Sequence, residues 1–412
     1  MNPIDSLKAP TRRALLQSGL GAGALLALPA AAIAAPPGYE QWRDSFRARA
    51  LAKGISDATY TRVMGMLEPD MTVFQQMRNQ PEFNEQIWQY INRRVSDWRI
   101  IAGKEALRKN EALFARIEQD FGVERGTLLA LWGVESAFGD PLVQQNHMRP
   151  VFPALAALAW NEPRRRAYWQ SELINALKIV DRGWSTPEEM RGSWAGAMGH
   201  TQWMPEVWLH MGVDYDRNGR ISPYGAPDDA LAGTARFLIE RGRYRRGEAW
   251  GCEVRLPQGF GADRGLRSYA AWRELGVVRA DGAGFARPDD KAKLNVPVEG
   301  GPAFLLGQNF SAVTSYNPAF SYGLAVVHLG DRVRGEGPFV HAFPGSERGL
   351  SLAEVQELQR RLTGLGFDTD GTDGRVGRDT QRAVRDFQRK FGMAPADGYA
   401  GLKVLARLRQ SS

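Results

Sequence analysis

The stretch LLALWGVE, residues 128–135, is apolar on every face of a helix and ends in a carboxylate, Glu135. Such a run predicts a helix that is buried on all sides. Burial of an acid without a cationic partner disfavours the charged form and raises the pKa, which a general acid working near neutral pH requires. Two other interpretations of Glu135 are a side chain that reaches solvent at the helix end and one that caps the turn at Phe138 and Gly139.

Around this stretch, the chain is predicted to be mainly α-helical with a small β element, an α+β fold. From residue 39 to about 250, long segments carry apolar side chains three or four positions apart. Examples are 111–121, 127–135, 165–180 and 227–241. Short β-prone runs follow at 253–256 and 293–296, which predicts a small sheet. A length of 412 residues predicts two or three folded units.

A domain boundary is expected at residues 335–349, GEGPFVHAFPGSERG, where four glycines and two prolines indicate a linker. The predicted organisation is a helical domain over 35–335, a linker over 336–349 and a small module over 350–412. In the module, Ser351 and Glu354 form a capping-box pattern, and the apolar spacing predicts three helices. A module of this size is marginally stable alone and is expected to dock on another surface.

Residues 1–34 are predicted to be a removable export signal. Arg12 and Arg13 precede an apolar run over 20–33, and Ala32-Ile33-Ala34 has the small residues of a cleavage site. The arginine pair is similar to a twin-arginine signal, so a periplasmic location is expected. A membrane anchor is the other interpretation, but glycines and Pro29 shorten the apolar run. No membrane anchor is therefore expected after signal removal.

Composition excludes some classes of protein. The net charge of +7 is modest for the length, and basic residues alternate with acids, so no nucleic-acid partner is expected. Cys252 is the one cysteine, which excludes an internal disulfide and a cysteine-based metal cluster. A buried structural thiol is the default interpretation of Cys252.

Three motifs carry a resemblance. GVESAFG at 133–139 resembles the Glu-Ser/Thr-x-x-Gly element of lysozyme-like lytic transglycosylases, and GSWAGAMGHTQWMP at 192–205 is similar to the stretch that lines their sugar cleft. SYNP at 315–318, followed by SYGLAV at 321–326, is similar to the Tyr-Asn motif of the murein transglycosylase B type. The resemblance covers residues 39–334 and implies a lysozyme-like catalytic domain.

The resemblance implies cleavage of the β-1,4 bond between N-acetylmuramic acid and N-acetylglucosamine in peptidoglycan. Glu135 is expected to protonate the leaving oxygen and then to act as base on the C6 hydroxyl, closing a 1,6-anhydro ring. A second carboxylate is not needed where the acetamido group assists. Two alternatives are a hydrolase that uses water as nucleophile and a non-catalytic scaffold that binds the wall. Burial of an acid argues against the scaffold, because binding alone gives no reason for it.

The resemblance also implies the substrate contacts. Ser193, Gln202 and Asn317 are expected to hydrogen-bond the sugar, and Tyr316 to orient Glu135 or the substrate. The further candidates are Met198, Trp203, Tyr322, Arg164 and Arg165. Of these, Met198 and Trp203 are expected to pack as cleft wall, and the two arginines to meet lactyl or peptide carboxylates or to lie in solvent. His200 is assigned to packing or to sugar contact.

An acidic loop follows, in which Asp214, Asp216, Asn218, Arg220 and Ser222 take alternate positions of a calcium-loop pattern. Its twelfth position is Gly225, so a bidentate carboxylate is missing there and would have to come from Asp228 or Asp229. Related transglycosylases carry an EF-hand-like loop at this place. A structural calcium and a calcium-free polar turn both remain open, and no cofactor is required for the chemistry.

The C-terminal module resembles a three-helix peptidoglycan-binding domain. Its matching parts are VQELQRRL at 355–362, GLGF at 364–367, DGRVG at 373–377 and TQRAVRDFQ at 380–388. Val376 replaces the usual aromatic residue of the turn. The implied role is to tether the enzyme to glycan strands and so raise the local substrate concentration. Exported enzymes of this kind often join cell-wall enzyme complexes, which gives a second class of expected partner.

Overall fold

The structure is a computed structural model that describes residues 37–78, 85–140, 148–261 and 264–411. The predicted export signal at 1–34 lies outside these residues. The chain divides into two compact units. Of the described residues, those within 37–83, 115–123 and 131–240 form the first unit, and those within 84–114, 124–130 and 241–411 form the second. Among the described helices, none has the length and apolar character needed to cross a bilayer.

The described fold is mainly helical, as predicted. The helices are α1 (Tyr39–Ala52), α2 (Asp57–Met64), α3 (Val73–Arg78), α4 (Ile87–Arg94), α5 (Asp97–Lys109), α6 (Glu111–Phe121), α7 (Arg125–Ser136), α8 (Val151–Asn161), α9 (Arg166–Asp181), α10 (Pro205–Met211), α11 (Asp228–Glu240), α12 (Tyr269–Glu274), α13 (Gln308–Tyr316), α14 (Phe320–Arg334), α15 (Leu352–Gly364), α16 (Arg378–Lys390) and α17 (Leu402–Gln410). The strands are β1 (Arg149–Pro150), β2 (Arg191–Gly192), β3 (Gly251–Arg255), β4 (Leu266–Ser268), β5 (Val278–Arg279), β6 (Lys291–Asn295) and β7 (Ala303–Leu306).

Two helices, α8 and α9, form the centre of the first unit and pack along each other. Helix α8, VFPALAALAWN, is buried over nearly its whole length because alanines and leucines occupy most of its positions. A short 3-10 turn at Pro163–Arg165 joins it to α9, and the Glu162 side chain caps that turn by accepting from two backbone N–H groups. This capped turn allows the two helices to run back against each other.

The small sheet lies in the second unit, in the region where short strands were predicted. It has five antiparallel strands in the order β4-β6-β7-β3-β5. Alternate residues of β3 and β6 point into one core, which also holds Trp272 of α12. Cys252 belongs to this core, and burial raises the pKa of its thiol to about 12. The prediction of a buried structural thiol is confirmed.

The segment between the two predicted domains contains neither helix nor strand, as its composition indicated. It is nevertheless held to the second unit. The carboxylate of Glu253 on β3 accepts hydrogen bonds from the backbone N–H groups of Val340 and His341 at 2.6 and 2.8 Å. Phe339 stacks on His328 of α14 with ring centroids 3.9 Å apart. The linker therefore follows a defined path along the sheet and α14.

The C-terminal module consists of α15, α16 and α17 around an apolar core. Its leading members are Leu358, Leu362, Val384, Phe387 and Leu405. The predicted capping box is confirmed: Ser351 and Glu354 bond reciprocally at the start of α15.

Two turns of the module repeat one hydrogen-bond pattern. Gln359 donates to the Asp373 carboxylate at 3.0 Å and accepts from Gly374 N at 2.8 Å. In the second turn, Gln388 donates to Asp397 at 3.0 Å and accepts from Gly398 N at 2.8 Å. The sequences DGRVG at 373–377 and DGYAG at 397–401 are thus two copies of one structure, a repeat that sequence reasoning missed.

The module docks on α4 and α5, which belong to the same unit. Asn92 of α4 donates to the Tyr399 hydroxyl at 2.9 Å, and the Trp88 ring meets Tyr399 edge-on at 5.1 Å. Arg375 lies over the Trp98 ring at 4.3 Å. Because Arg375 and Tyr399 come from the two repeated turns, the module uses equivalent positions of both turns for docking.

Candidate active site

The predicted buried helix is confirmed as α7, and Glu135 lies on its last turn. Leu128, Leu129 and Leu131 are fully buried. Glu135 itself is partly exposed, while the next residue, Ser136, is completely buried. The carboxylate is therefore neither enclosed in the core, as the apolar run predicted, nor extended into bulk solvent. The physical reason is its place on the final turn, where the helix leaves the core.

The turn that ends α7, residues 136–139, has a left-handed backbone at its last three residues. Ala137, Phe138 and Gly139 have φ values of 52°, 63° and 74°. For residues with a Cβ, this conformation costs roughly 1–2 kcal/mol each. The Ser136 hydroxyl offsets part of the cost, because it donates to Trp132 O at 3.3 Å and accepts from Gly139 N at 3.0 Å. We call residues 136–139 the catalytic turn, because they follow the candidate acid Glu135.

Glycine at 139 is required by a close approach as well as by its φ. A Cβ at this position would lie 2.4 Å from Nδ1 of His200. The Ser and Gly of the Glu-Ser-x-x-Gly motif thus have separate structural tasks. The serine satisfies the turn, and the glycine admits a side chain from the 192–205 segment.

That segment, residues 192–205, forms a compact loop that carries two of the predicted ligands. Its ends are held by isolated backbone pairings of Met198 with Gly192 and with Trp203. The Ser193 hydroxyl accepts from Ala197 N at 3.2 Å. Gln202 has a φ of 54° and donates from Nε2 to Gly199 O at 3.0 Å. Both Ser193 and Gln202 are partly exposed and can still reach a ligand.

Met198 and Trp203 lie behind this loop. Met198 is fully buried and Trp203 is 1% exposed, with its indole N–H donating to the Thr234 hydroxyl at 3.2 Å. A Cβ on Gly233 would come within 2.4 Å of the Trp203 ring. The structure thus gives these two residues the packing role that the sequence favoured. Their side chains do not offer a face to a ligand in this conformation.

The two candidate arginines differ. Arg164 is exposed. Arg165 stacks over the Tyr168 ring at 4.3 Å, and among the described residues its two terminal nitrogens are buried without a hydrogen-bond partner. Burial lowers the pKa of Arg165 and raises that of Tyr168. Arg164 is therefore the better placed of the pair to meet a carboxylate in solution.

The Tyr-Asn motif belongs to the second unit, at the junction of α13 and α14. Tyr316 is the last residue of α13 and is partly exposed. Asn317 is 9% exposed, and its Oδ1 accepts from Ala319 N at 3.1 Å, which is the ordinary turn role of asparagine. Tyr322 is buried in α14. Ligand contact by these residues stays a prediction.

The acidic loop of the first unit gathers three carboxylates. One oxygen each of Asp214, Asp216 and Asp229 lie within 4.8 Å of one another. Of the two acids predicted to complete the loop, Asp229 is the one that folds back. It accepts from Tyr215 N at 2.7 Å and Ser222 N at 2.9 Å. Burial raises the pKa of Asp229, and the charge of Asp216 adds to that shift.

The other predicted members of this loop also have defined contacts. The Asn218 side-chain oxygen accepts from Arg220 N at 2.8 Å, and Gly219 N donates to Asp214 at 3.0 Å. Gly219 has a φ of 87°, as the sharp turn requires. A set of clustered carboxylate and amide oxygens is what calcium prefers, so these residues fit the ion.

One contact that sequence reasoning missed joins these parts. The Trp132 indole N–H donates to His200 Nδ1 at 3.1 Å, linking the last turn of α7 to the 192–205 loop. The two residues are 68 positions apart, so neither helical spacing nor loop chemistry indicates the pair.

Comparison with known proteins identifies the family. The sequence profile of the transglycosylase SLT domain matches residues 38–331, and that of the peptidoglycan binding domain matches residues 351–408. Because the first match covers more than half of the chain, the chain belongs to the transglycosylase SLT domain family. The predicted resemblance and the predicted enzyme class are confirmed at the level of the family.

Three relatives illustrate the similarity. Membrane-bound lytic murein transglycosylase B of Escherichia coli (strain K12) is 29% identical over 223 residues, which are 53% of this chain and 59% of that protein. SltB3 from Pseudomonas aeruginosa, in complex with NAG-anhNAM-pentapeptide, has 36% identity and a TM-score of 0.70, covering 90% of this chain and 99% of that one. Escherichia coli lytic transglycosylase Slt35, in complex with calcium, has 24% identity and a TM-score of 0.60, covering 72% and 93%.

The chain thus spans 59% of the length of the curated relative. The similarity to Slt35 supports the fold, because the identity is low. Together these structures confirm the predicted lysozyme-like, mainly helical fold.

Proposed function

We propose that this chain is a lytic transglycosylase that cleaves the β-1,4 bond between N-acetylmuramic acid and N-acetylglucosamine in peptidoglycan. The observation that carries the proposal is the position of Glu135. Its carboxylate is partly exposed on the last turn of an otherwise buried helix, in the unit that also carries Ser193 and Gln202. A carboxylate in this setting can reach a sugar and still be protected from full hydration.

The reaction needs one carboxylate. Protonated Glu135 donates its proton to the glycosidic oxygen, the C1–O bond breaks, and N-acetylglucosamine leaves with a free 4-hydroxyl. The acetamido group of the muramic acid stabilises the positive charge at C1. The Glu135 carboxylate then takes the proton of the C6 hydroxyl while O6 bonds to C1. The reaction consumes no water, because O6 of the same sugar is the nucleophile. The product is a 1,6-anhydro sugar, the kind of fragment named in the SltB3 complex.

Substrate binding is proposed for four polar residues and one cation. Ser193 and Gln202 offer a hydroxyl and an amide from the 192–205 loop, and Tyr316 and Asn317 come from the second unit. Arg164 is exposed and can pair with a lactyl or peptide carboxylate.

The acidic loop is proposed to hold calcium through Asp214, Asp216, Asn218 and Asp229, with Arg220 and Ser222 at the remaining alternate positions. When bound, the ion would neutralise the clustered carboxylates; it takes no part in the reaction.

The C-terminal module is proposed to bind glycan strands and hold the enzyme at the wall. The matched binding-domain family supports this role, and a bound wall raises the local concentration of bonds to cleave. Such a substrate requires export, for which residues 1–34 are the proposed twin-arginine-like signal, and a periplasmic location. Association with other cell-wall enzymes is a further proposal.

The test is Glu135→Gln, which keeps the shape of the side chain and removes its acid. Purified variant and unmodified protein are compared on purified sacculi. The rate should fall about 100- to 10,000-fold, the usual contribution of a general acid. Asp140→Asn is the matched control, because Asp140 is the nearest acid in the chain and lies just beyond the catalytic turn; it should keep the unmodified rate.

Product mass separates the candidate reactions. A transglycosylase releases fragments one water lighter than those of a muramidase, so hydrated ends alone would favour hydrolysis. Unchanged solubilisation by Glu135→Gln would exclude Glu135 as the acid. A complete lack of solubilisation by the unmodified protein would favour a wall-binding scaffold.

A further inference from the structure

His200 connects the last turn of α7 with the end of the acidic loop. Its Nδ1 lies 3.1 Å from the Trp132 indole nitrogen, and its Nε2 lies 2.8 Å from Gly225 O. A carbonyl oxygen only accepts, so Nε2 must carry the proton, and Nδ1 is then the acceptor that an indole N–H needs. The two contacts together select one neutral tautomer of the imidazole.

The ring is also held sterically. His200 is 6% exposed, and its ring meets that of Trp132 edge-on at 5.6 Å. Its backbone N–H donates to Pro223 O at 2.9 Å, so loop 223–225 holds both backbone and side chain. Gly139 packs directly against the imidazole, with no room for a Cβ. Movement of His200 would therefore displace the catalytic turn.

Trp132 and Glu135 are three positions apart on α7, so they share its last turn. We propose that His200 is a positioning residue for Glu135: by accepting the Trp132 indole N–H and packing on Gly139, it fixes the turn from which the carboxylate projects. This inference rests on the proposed function, in which Glu135 is the acid. It also gives the acidic loop a physical route to the active site, through Gly225 and His200.

Electrostatics agree with this arrangement. Burial lowers the pKa of His200, an effect that the Gly225 carbonyl partly opposes, so the neutral ring is favoured. The titratable groups on the elements around it are Glu135 and Asp140 beside the catalytic turn and Tyr224 in loop 223–225. The Tyr224 hydroxyl donates to Arg191 O at 2.7 Å, and burial raises its pKa. Protonation of His200 would place an N–H on Nδ1, opposite the indole N–H, and break the link.

The test compares His200→Phe, Trp132→Phe and the double variant on soluble glycan fragments. Each single change removes the hydrogen bond and keeps an aromatic ring, which is similar in bulk to the native ring at position 200 and smaller than it at position 132. We expect kcat to fall about 10- to 100-fold with little change in KM, the effect of a misplaced catalytic group. The double variant should lose no more than a single one, because both changes remove one shared interaction.

Conservative variants separate the two contacts. His200→Asn places an acceptor oxygen near the position of Nδ1 and should restore part of kcat, whereas His200→Gln favours the Gly225 contact and should restore less. His210→Phe is the matched control, because His210 is an exposed histidine at the end of α10, and it should leave kcat unchanged. Because burial lowers the pKa of His200, the wild type should lose kcat only when the pH falls below the ordinary histidine range, and His200→Asn should lose less.

Two outcomes would overturn the inference. One is full kcat in His200→Phe or Trp132→Phe at unchanged thermal stability. The other is losses that multiply in the double variant, which would mean that the two residues act separately. Because Glu135→Gln tests the acid independently, an inactive Glu135→Gln beside a fully active His200→Phe would reject the positioning role alone.

Discussion

The catalytic turn follows α7, whereas the two repeated turns of the C-terminal module precede α16 and α17, and each of the three turns carries a glycine at positive φ. In the module, Gly374 and Gly398 have φ values of 78° and 79°, and a buried glutamine from the preceding helix satisfies each turn. In the catalytic turn, two residues with a Cβ share the left-handed conformation. The partner that packs on it, His200, comes from a distant loop.

This difference distinguishes turns that stabilise the fold from a turn that belongs to the candidate active site. The module turns are satisfied locally and occur twice, as expected of structures that hold helices together and place Arg375 and Tyr399 for docking. Backbone strain in the catalytic turn costs stability and persists because the surroundings over-determine it, which is typical of functional sites. Gln202, with a φ of 54° in the 192–205 loop, extends the strained region.

The same substitution in both regions should give opposite results, and this is the largest effect on activity that distinguishes the two regions. In Gly139→Ala, the new Cβ would lie 2.4 Å from His200, and in Gly398→Ala it would lie 2.6 Å from Gln381 O. Gly139→Ala should lower kcat on soluble glycan fragments about 100-fold, with sacculus binding retained.

Gly398→Ala is the reciprocal control. It should keep kcat on soluble fragments and lose binding in a sacculus sedimentation assay. Loss of both activities in both variants would show that the two regions do not have separate roles.

Calcium should stabilise the acidic loop of the first unit and leave the C-terminal module unchanged. Calcium would be held by Asp214, Asp216 and Asp229. At a free calcium concentration about 1,000 times the Kd, binding would stabilise the folded chain by about 4 kcal/mol. Hydrogen exchange should slow in peptides over 196–230 and stay unchanged in the module. Asp229→Asn should abolish the effect, whereas Asp228→Asn, at a neighbouring position that pairs with Arg116, should keep it. If calcium slowed hydrogen exchange throughout the chain, or still slowed it in Asp229→Asn, the proposed calcium site would be wrong.

The smallest effect concerns the pH dependence of stability, which we attribute to a cluster of paired charges at the start of α7. Glu124 accepts from Gly126 N and Thr127 N at the helix start and pairs with Arg334, which also pairs with Asp331. Burial raises the pKa of Asp331 to about 6. Its stabilising contribution is thus fully present below the ordinary pKa of 3.8 and is lost as the pH rises through about 6.

Denaturant unfolding between pH 3 and pH 8 measures this contribution, at most about 3 kcal/mol. Asp331→Asn should flatten the pH dependence, with Asp379→Asn, an exposed acid of α16, as the control. An equal slope in Asp331→Asn and the wild type would reject the assignment.

Local patterns predicted most of the framework. The apolar spacing predicts α6 at 111–121, where the structure has it, and the predicted ends of α7, α9 and α11 differ from the observed ends by one or two residues. The sequence predicts the Ser351 capping box correctly because all its partners lie within four residues. The position of Glu135 followed from the apolar run before it, although its partial exposure did not.

The missed features depend on contacts between distant residues. The Trp132–His200 bond spans 68 positions, and the docking of Tyr399 on Asn92 spans 307. The spacing of apolar residues along the sequence does not predict contacts between residues so far apart. The left-handed Ala137 and Phe138 were missed for another reason, since both residue types normally avoid that conformation and only the surrounding contacts impose it.

The buried thiol on β3 has a practical consequence. A cysteine of such high pKa forms almost no thiolate at neutral pH, and thiolate is the species that alkylating reagents attack. Cysteines introduced at the surface would then react much faster than Cys252. Fluorophores or spin labels could be attached to cysteines that replace Lys403 and Arg62, for example, while Cys252 is kept. The distance between the two labels could then be measured as the enzyme binds a sacculus.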